Sequence, residues 1–428
     1  MPGETTDDYA GAFDSRWTLD RLTRRALARL CREYMVVAFY HDRALMPFVA
    51  MEHGADATVR QADSEWMGAS PVYTERNKRN LGIEGDGVGD ALKSLQVDIG
   101  FAHHFMDVHY EVVDHDLGSF WLTYCGAHDY VRGISGNDPH LVTTMCHHME
   151  DRTFDATLGV TNPRLRAVPV HRPPKPDTFA GEHCRWRVQI DHDAVGPRDA
   201  EPSLAAMQAT DAASFSFALG DSREPGGMDD YTGPLRPDFR LEDLSHAVLV
   251  RQAKEFCLDV HLLMRAAYWS VDHNFSPALL DAAALQHRAA IAPVLVARLR
   301  EAMHIEGDDM HAVGKLLQLD PFLVDDYVRY TVEVHDARTG SIEFVDSAGL
   351  ADDGCRSPLD WLDGFASVAH AVNARCAVVP AGERSWELHI DPDADPAEPH
   401  RLAESIGGGG LRTFDLSVRP VQLRSPTR

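Results

Sequence analysis

Hydrophobic positions recur with a helical period in two long stretches rich in Ala and Leu, residues 19–53 and 244–273. Residues 107–113 and 119–125 are instead rich in β-branched and aromatic side chains, which alternate with polar ones. The turn between them, Asp-His-Asp-Leu-Gly, is typical of a β-hairpin. The chain is therefore predicted to combine long helices with antiparallel strands.

Further elements are predicted on both sides of this hairpin. A helix follows the break in the chain at Gly85-Asp-Gly87. After the hairpin, a helix is expected over residues 143–158, and the following Thr-Asn-Pro ends it. Strands at residues 166–170 and 184–191 complete the predicted sheet.

This pattern occurs twice along the chain. The tetrapeptide Ile-Glu-Gly-Asp stands at 83–86 and again at 305–308, and a two-residue gap then aligns 108–112 with 328–332. The aligned pairs are, in chain order, Arg76 and Arg298, His109 and Arg329, Tyr110 and Tyr330, Glu111 and Thr331, Asn162 and Asn373, and Trp186 and Trp386. We therefore predict an α+β fold of two tandem homologous halves, each with helices followed by a small antiparallel sheet and a packed helix.

Changes in composition give the expected boundaries of these halves. The first half is predicted over residues 1–193 and the second over residues 241–400. Residues 194–240, rich in Pro, Gly and Asp, are expected to link them, and residues 401–428 to form a flexible tail.

Composition narrows the class of protein. The 428 residues carry a formal charge of −25, which disfavours binding to nucleic acid or to anionic membranes. The acidic N-terminus does not resemble a secretory signal, so a cytoplasmic location and reduced thiols for the seven cysteines are expected. A small-molecule substrate is the expected partner, and a homo-oligomer is left open.

Comparison of the two halves indicates where chemistry takes place. A residue needed only for folding should persist in both halves, whereas a site residue is free to disappear from one. The reactive residues are lost together: Cys125 aligns with Ser347, Cys184 with Arg384, and Cys146-His-His-Met-Glu150 with Ser357-Pro-Leu-Asp-Trp361. The first half is therefore expected to hold the site, and the second to shape a pocket at the junction of the halves.

One candidate chemistry is a divalent metal ion. Eleven of the 23 histidines lie from His103 to His192. His109 and Glu111 share one face of a predicted strand, while His147, His148 and Glu150 lie within one helical turn. Imidazole and carboxylate ligands suit zinc, iron or manganese, although the same residues are equally typical of a solvated strand face and a polar helix. Further possible ligands are His103, His104, His128 and His171.

The other candidate chemistry is thiol nucleophilicity. Cys146 is predicted near the start of its helix beside His147, and both a helix N-terminus and an imidazolium lower the pKa of a thiol. Cys125 ends its strand on the same face as Trp121 and Thr123, and a cysteine at such a position is most often buried and inert.

The residues from Cys125 to Ile190 resemble a known family. The features that carry the resemblance are Cys125 at a strand end, Cys146, Phe154, Gly159-Val-Thr-Asn-Pro-Arg-Leu165 and Gly181-Glu-His-Cys-Arg-Trp186. They resemble the L-2-amino-thiazoline-4-carboxylic acid hydrolase-like family of bacterial proteins, over about the first 190 residues. The resemblance implies hydrolytic opening of a small cyclic C–N or C–S substrate, with Cys125, Cys146 and Cys184 as the family's cysteines and Glu150 or Asp151 as their acidic partner.

The leading hypothesis is a hydrolase that opens a small cyclic or amide-like substrate. In its metal version, His109, Glu111, His147 and either His148 or Glu150 hold zinc or iron, which activates a water molecule. In its thiol version, Cys146 or Cys125 attacks the substrate, with His147 as the base. The alternatives are a metal-dependent oxygenase or lyase, and a non-catalytic module that binds or senses a ligand.

Overall fold

The computed structural model describes residues 5–136, 138–176, 179–194 and 201–406. Most of the predicted tail, including the run Gly407–Gly410, lies outside these residues.

Four long helices form the centre of the protein. They are α1 (Arg24–His53), α2 (Ala55–Leu81), α9 (His246–Asn274) and α10 (Pro277–Met303). The hydroxyl of Thr23 begins α1 by accepting a hydrogen bond from the backbone N–H of Ala26. Both α1 and α9 are buried around most of their circumference, which explains why their sequences are apolar on more than one face.

Helix α10 is, among the described residues, long and apolar enough to cross a membrane by length and composition. Of its most apolar window, 56% is buried inside the protein. Packing against the other long helices therefore accounts for that composition.

Each half adds a four-stranded sheet and shorter helices. The first half contains α3 (Val88–Leu95), β1 (Met106–Val112), β2 (Leu117–Cys125), α4 (Gly126–Ser135), α5 (Pro139–Thr143), α6 (Glu150–Gly159), β3 (Leu165–His171) and β4 (Cys184–Ile190). Two helices follow, α7 (Pro202–Gln208) and α8 (Asp211–Ser214). The second half contains α11 (Met310–Gln318), β5 (Tyr330–Val334), β6 (Thr339–Phe344), α12 (Ala366–Val372), β7 (Cys376–Pro380), β8 (Ser385–Ile390) and α13 (Ala403–Ile406).

The two sheets have the same topology, which confirms the predicted α+β fold of two similar halves. Their strand orders are β1-β2-β4-β3 and β5-β6-β8-β7, and all neighbours are antiparallel. Trp186 and Trp386 occupy the same place in both, each packed edge-on against a phenylalanine of the covering helical segment. These phenylalanines are Phe154 and Phe365.

Pairs of contacts related by the repeat join the two halves. Arg76 on α2 lies 2.8 Å from a carboxylate oxygen of Glu255 on α9, and Arg298 on α10 lies 2.5 Å from one of Glu33 on α1. Positions 76 and 298, like 33 and 255, are 222 apart. The matching arginines found in the sequence therefore form two equivalent buried ion pairs across the bundle.

The N-terminal segments of the halves are exchanged. Tyr9 donates to the side-chain oxygen of Gln318 in the second half at 2.7 Å, while Tyr231 donates to that of Gln96 in the first half at 2.8 Å. Backbone bridges, Thr6 with Leu22 and Met228 with Leu244, repeat in the same way. The second repeat therefore begins inside the predicted linker 194–240, and α7 of that linker packs against the bundle.

The alignment predicted across the hairpin is wrong by two residues. The backbone N–H of Val88 donates to His115, and that of Met310 donates to Ala337, so the offset of 222 continues through the hairpin without a gap. Glu111 is consequently equivalent to Glu333, and Tyr110 to Val332. The second half thus retains an acidic residue, Glu333, at the position equivalent to Glu111. Glu111 therefore does not belong to the reactive residues that the second half has lost.

Candidate functional site

A cavity of about 350 Å³ lies inside the first half, between helices α1 and α2 and the end of the sheet at which β2 ends and β4 begins. Every residue that lines it belongs to the first half, so the cavity is not at the junction of the halves as expected. Its wall is mainly apolar, with several threonine and tyrosine side chains and six residues that carry a charged group or a thiol: Asp42, Arg43, Asp98, Glu150, Cys125 and Cys184. An apolar pocket with a few converging polar groups is typical of a small-molecule site.

A β-bulge places Cys125 on the cavity side of the sheet. Asp107 pairs with Tyr124 and Val108 with Leu122, so Thr123 has no partner on β1. The extra residue reverses the alternation of side chains. Cys125 therefore faces the interior, opposite to the face shared with Trp121 that simple alternation predicts.

Cys146 lies in the middle of a continuous helical segment and not at its start. The residues from Thr144 to Met149 form a π-helical turn between α5 and α6, and such turns are frequent at functional sites. Cys146 is buried there, while the Nε2 atom of His147 lies 2.7 Å from the carbonyl oxygen of Pro173. Neither influence predicted to activate this thiol is present.

The three predicted cysteines surround Glu150. Burial, and next the charge of Glu150, raises the pKa of Cys125 to about 12 and raises those of Cys146 and Cys184 further. Burial also raises the pKa of Glu150 to about 8, although the cation of Arg172 opposes the shift. At neutral pH these thiols are therefore protonated, and Glu150 is the group of this set that titrates nearest neutrality.

The structure does not bring the predicted metal ligands together. His109 stacks on Trp121 on the outer face of the sheet, with ring centroids 5.4 Å apart, and Glu111 is exposed beside Ser119. His147 is turned to the carbonyl of Pro173, and His148 is exposed. Among the described residues, the group whose ligand atoms lie within 4.8 Å of one another is a different one, His41, Asp42 and Glu65.

The further histidines considered as ligands have other contacts. His103 bonds to the carbonyl of Gln96 at 2.5 Å, and His104 lies between the ion pair Glu33 and Arg298. His128 packs against His183, and His171 lies 3.4 Å from a carboxylate oxygen of Glu182.

An unbalanced charge distinguishes the cavity from the equivalent region of the second half. Arg43, 6% exposed, stacks on the ring of Tyr130 at 3.7 Å and donates from Nη1 to the carbonyl of Ile406 at 3.2 Å. Its Nη2 atom has no hydrogen-bond partner in the described part of the chain. The equivalent Arg265 donates to both carboxylate oxygens of Asp353 at 2.8 Å.

At two more positions the cavity of the first half carries a carboxyl group without an ion pair among the described residues, where the second half has a paired or an apolar residue. Asp98 accepts from Tyr73 and from the N–H of Gly100, and burial raises its pKa to about 7, whereas the equivalent Asp320 is paired with Arg288 at 2.5 Å. Glu150 stands four residues before Phe154, where the second half has Trp361 before Phe365. In the second half the equivalent arginine and aspartate each form an ion pair, and a tryptophan stands in place of the glutamate.

No protein-family model, curated protein or solved structure matches this chain. The resemblance to the L-2-amino-thiazoline-4-carboxylic acid hydrolase-like family therefore stays a prediction.

Sequence reasoning missed three charged residues of the cavity wall, Asp42 and Arg43 on α1 and Asp98 after α3. The comparison of halves had a signal for part of it, because His41 and Asp42 become Leu263 and Met264 at the offset of 222. It had none for Arg43 and Asp98, which are Arg265 and Asp320 in the second half. Only the partners of these side chains differ, and partners are not visible in the sequence.

Proposed function

We propose that this protein is a hydrolase that opens a small cyclic or amide-like substrate inside the first-half cavity. The observation that carries the proposal is Glu150, a carboxyl group in a mainly apolar wall with a pKa raised to about 8 by burial. Such a group exchanges protons readily near neutral pH, which suits general acid–base catalysis.

Glu150 acts as the general base in this proposal. Its carboxylate takes a proton from water while the water oxygen bonds to the electrophilic carbon of the substrate. The same proton then passes from Glu150 to the ring nitrogen or sulfur as its bond to carbon breaks. The carboxyl group ends in its starting state, and the product contains one added water.

The thiols support this route better than direct attack by cysteine. A nucleophilic cysteine needs a lowered pKa, and the pKa values of Cys125, Cys146 and Cys184 are all raised. The neutral S–H groups of Cys125 and Cys184 form the polarisable part of the wall near Glu150. Arg43, whose charge is not paired with a carboxylate among the described residues, supplies the cationic end of the cavity.

A substrate panel tests the proposal. The panel comprises 2-amino-thiazolines, dihydropyrimidines, hydantoins and lactams, with product detected by mass spectrometry as the gain of one water. We expect turnover of at least one class, a loss of 100-fold or more in Glu150→Gln, and little change in Glu111→Gln on the outer face. Turnover unaffected by Glu150→Gln would contradict the assignment of the base.

A ligand-binding module is the second candidate, and the largely apolar, ready-formed cavity favours it. Saturable binding of a panel compound with no product over long incubation would support this function over hydrolysis.

A further inference from the structure

A second cluster of reactive side chains lies where α1 faces α2. His41 and Glu65 are fully buried, and Asp42, which is grouped with them, also lines the cavity. The Nε2 atom of His41 lies 3.2 Å from Oε1 of Glu65. One ligand atom from each of the three residues lies within 4.8 Å of the other two.

The carboxyl groups of Asp42 and Glu65 bond to each other, and Asp42 also bonds to Trp66, but one ligand atom of each residue of the cluster is left without a partner among the described residues. Nε2 of His41, Oδ1 of Asp42 and Oε1 of Glu65 are all buried without a hydrogen bond in the described part of the chain. The contact between His41 and Glu65 is close enough in distance, but its direction is not that of a hydrogen bond. Buried polar atoms without a hydrogen bond are rare in proteins, and here three of them belong to residues whose ligand atoms lie within 4.8 Å of one another.

Surrounding residues hold the cluster in position. Nδ1 of His41 is 2.7 Å from Nε2 of His287, whose Nδ1 is 3.2 Å from the hydroxyl of Tyr268. The side-chain amide of Gln61 donates to the second oxygen of Glu65 at 3.4 Å. Histidine ligands of metal ions are usually fixed in this way, through a hydrogen bond from the ring nitrogen that does not bind the ion.

We propose that His41, Asp42 and Glu65 bind a divalent first-row transition-metal ion in the wall of the first-half cavity. One imidazole and two carboxylates suit manganese, iron(II) or zinc. Because Asp42 lines the cavity, an ion held by these residues would be reachable from it by a substrate or water. The ion would then polarise a substrate group or activate water on the side of the cavity formed by α1.

The second half offers an internal comparison. The residues equivalent to His41, Asp42 and Glu65 are Leu263, Met264 and His287, so two of the three ligands are absent there. His287 instead supports the histidine of the first half. The second half thus contributes to the proposed metal centre through a positioning residue, although it holds no ligand.

Metal titration tests the site without any substrate. Wild-type protein, freed of metal with a chelator, is titrated with MnCl₂ and separately with ZnCl₂ in a calorimeter. We expect one equivalent to bind, with affinity at least 100-fold lower in Asp42→Asn and in Glu65→Gln. His287→Leu should lose 10- to 100-fold, as is typical when the support of a ligand is removed. The control Glu111→Gln, a carboxyl group on the outer face of the sheet, should bind as wild type does.

Two outcomes would overturn the proposal. One is no stoichiometric binding to the wild type, and the other is unchanged binding in both ligand variants, checked for folding by circular dichroism. If neither variant folds, the absorption spectrum of the wild type with Co²⁺ decides, since the proposed ligands give no thiolate charge-transfer band and a site at Cys125, Cys146 and Cys184 does. The test is independent of turnover. An ion that binds without hydrolysis would support the metal site alone, and hydrolysis without an ion would support Glu150 as the base alone.

Discussion

His41 and His287 face each other across the two halves, with Nδ1 of the first 2.7 Å from Nε2 of the second. The contact is fully buried, and it links α1 of the half that contains the cavity to α10 of the half that does not. The second half therefore contributes to the surroundings of the cavity, because its side chain His287 orients His41.

Replacing His287 by leucine should destabilise the protein by about 1–3 kcal/mol, since Nδ1 of His41 and the hydroxyl of Tyr268 both lose a buried partner. Urea denaturation measures the change. The exposed His273, at the end of α9, gives the matched control: His273→Leu should alter stability by less than about 0.5 kcal/mol. Equal effects of the two substitutions would show that the buried contact contributes nothing specific.

Glu150→Gln should change how stability depends on pH. The pKa of Glu150 is raised from 4.5 to about 8 by burial, so its protonated form adds stability below pH 4.5 that is lost as pH rises through 8. Glutamine retains the shape and cannot ionise. We expect the variant to gain about 2 kcal/mol on wild type between pH 5 and pH 9, a value discounted for water in the cavity. A constant difference between the two proteins across this range would contradict the raised pKa.

Cys125 should react slowly with iodoacetamide at pH 7.5. A pKa raised from 9.0 to about 12 leaves roughly 1000-fold less thiolate, and the greater nucleophilicity of a basic thiolate reduces the deficit to about 30-fold. Peptide mass spectrometry follows the rate, with glutathione as the reference thiol. Alkylation of Cys125 faster than that of glutathione would revive the thiol mechanism.

Arg76→Met should destabilise the protein by about 3–5 kcal/mol, because it leaves the buried carboxylate of Glu255 without its partner. Arg25, whose pair with Asp7 is exposed, provides the control, and Arg25→Met should cost less than about 1 kcal/mol. The denaturant midpoints of the two variants measure these losses of stability. Similar midpoints would mean that the ion pair between the halves contributes little to stability.

Much of the fold was predictable because local patterns and the repeat agree. The tetrapeptide repeated at 83–86 and 305–308 located two similar halves, and the alternation around Tyr110 located the hairpin. The two-residue gap placed in the hairpin was wrong because chance identities such as Tyr110 with Tyr330 outweighed the register, which backbone hydrogen bonds determine. The exchange of N-terminal segments depends on contacts between distant residues and leaves no local pattern.

The candidate site was predictable only where it lies on one element. Glu150 and Cys146 share a helical segment, so their spacing predicts that they lie close together, and both are near Cys125 and Cys184 in the structure. The predicted metal ligands combined residues from a strand and a helix, and His109 lies on the outer face of the sheet. The packing of the whole half decides which face of a sheet is covered. A bulge of one residue then reverses the face on which the following side chains lie.

The protonation of Glu150 tests the central claim most directly, because it requires neither a substrate nor a metal. Carbon-13 NMR of protein labelled at the glutamate carboxyl carbon, with Glu150→Gln used to assign the resonance, gives the pKa of this group. We expect a pKa of about 8, with protonation persisting above neutral pH. Titration of Glu150 near 4.5, as for an exposed glutamate, would contradict the raised pKa on which the proposed function rests.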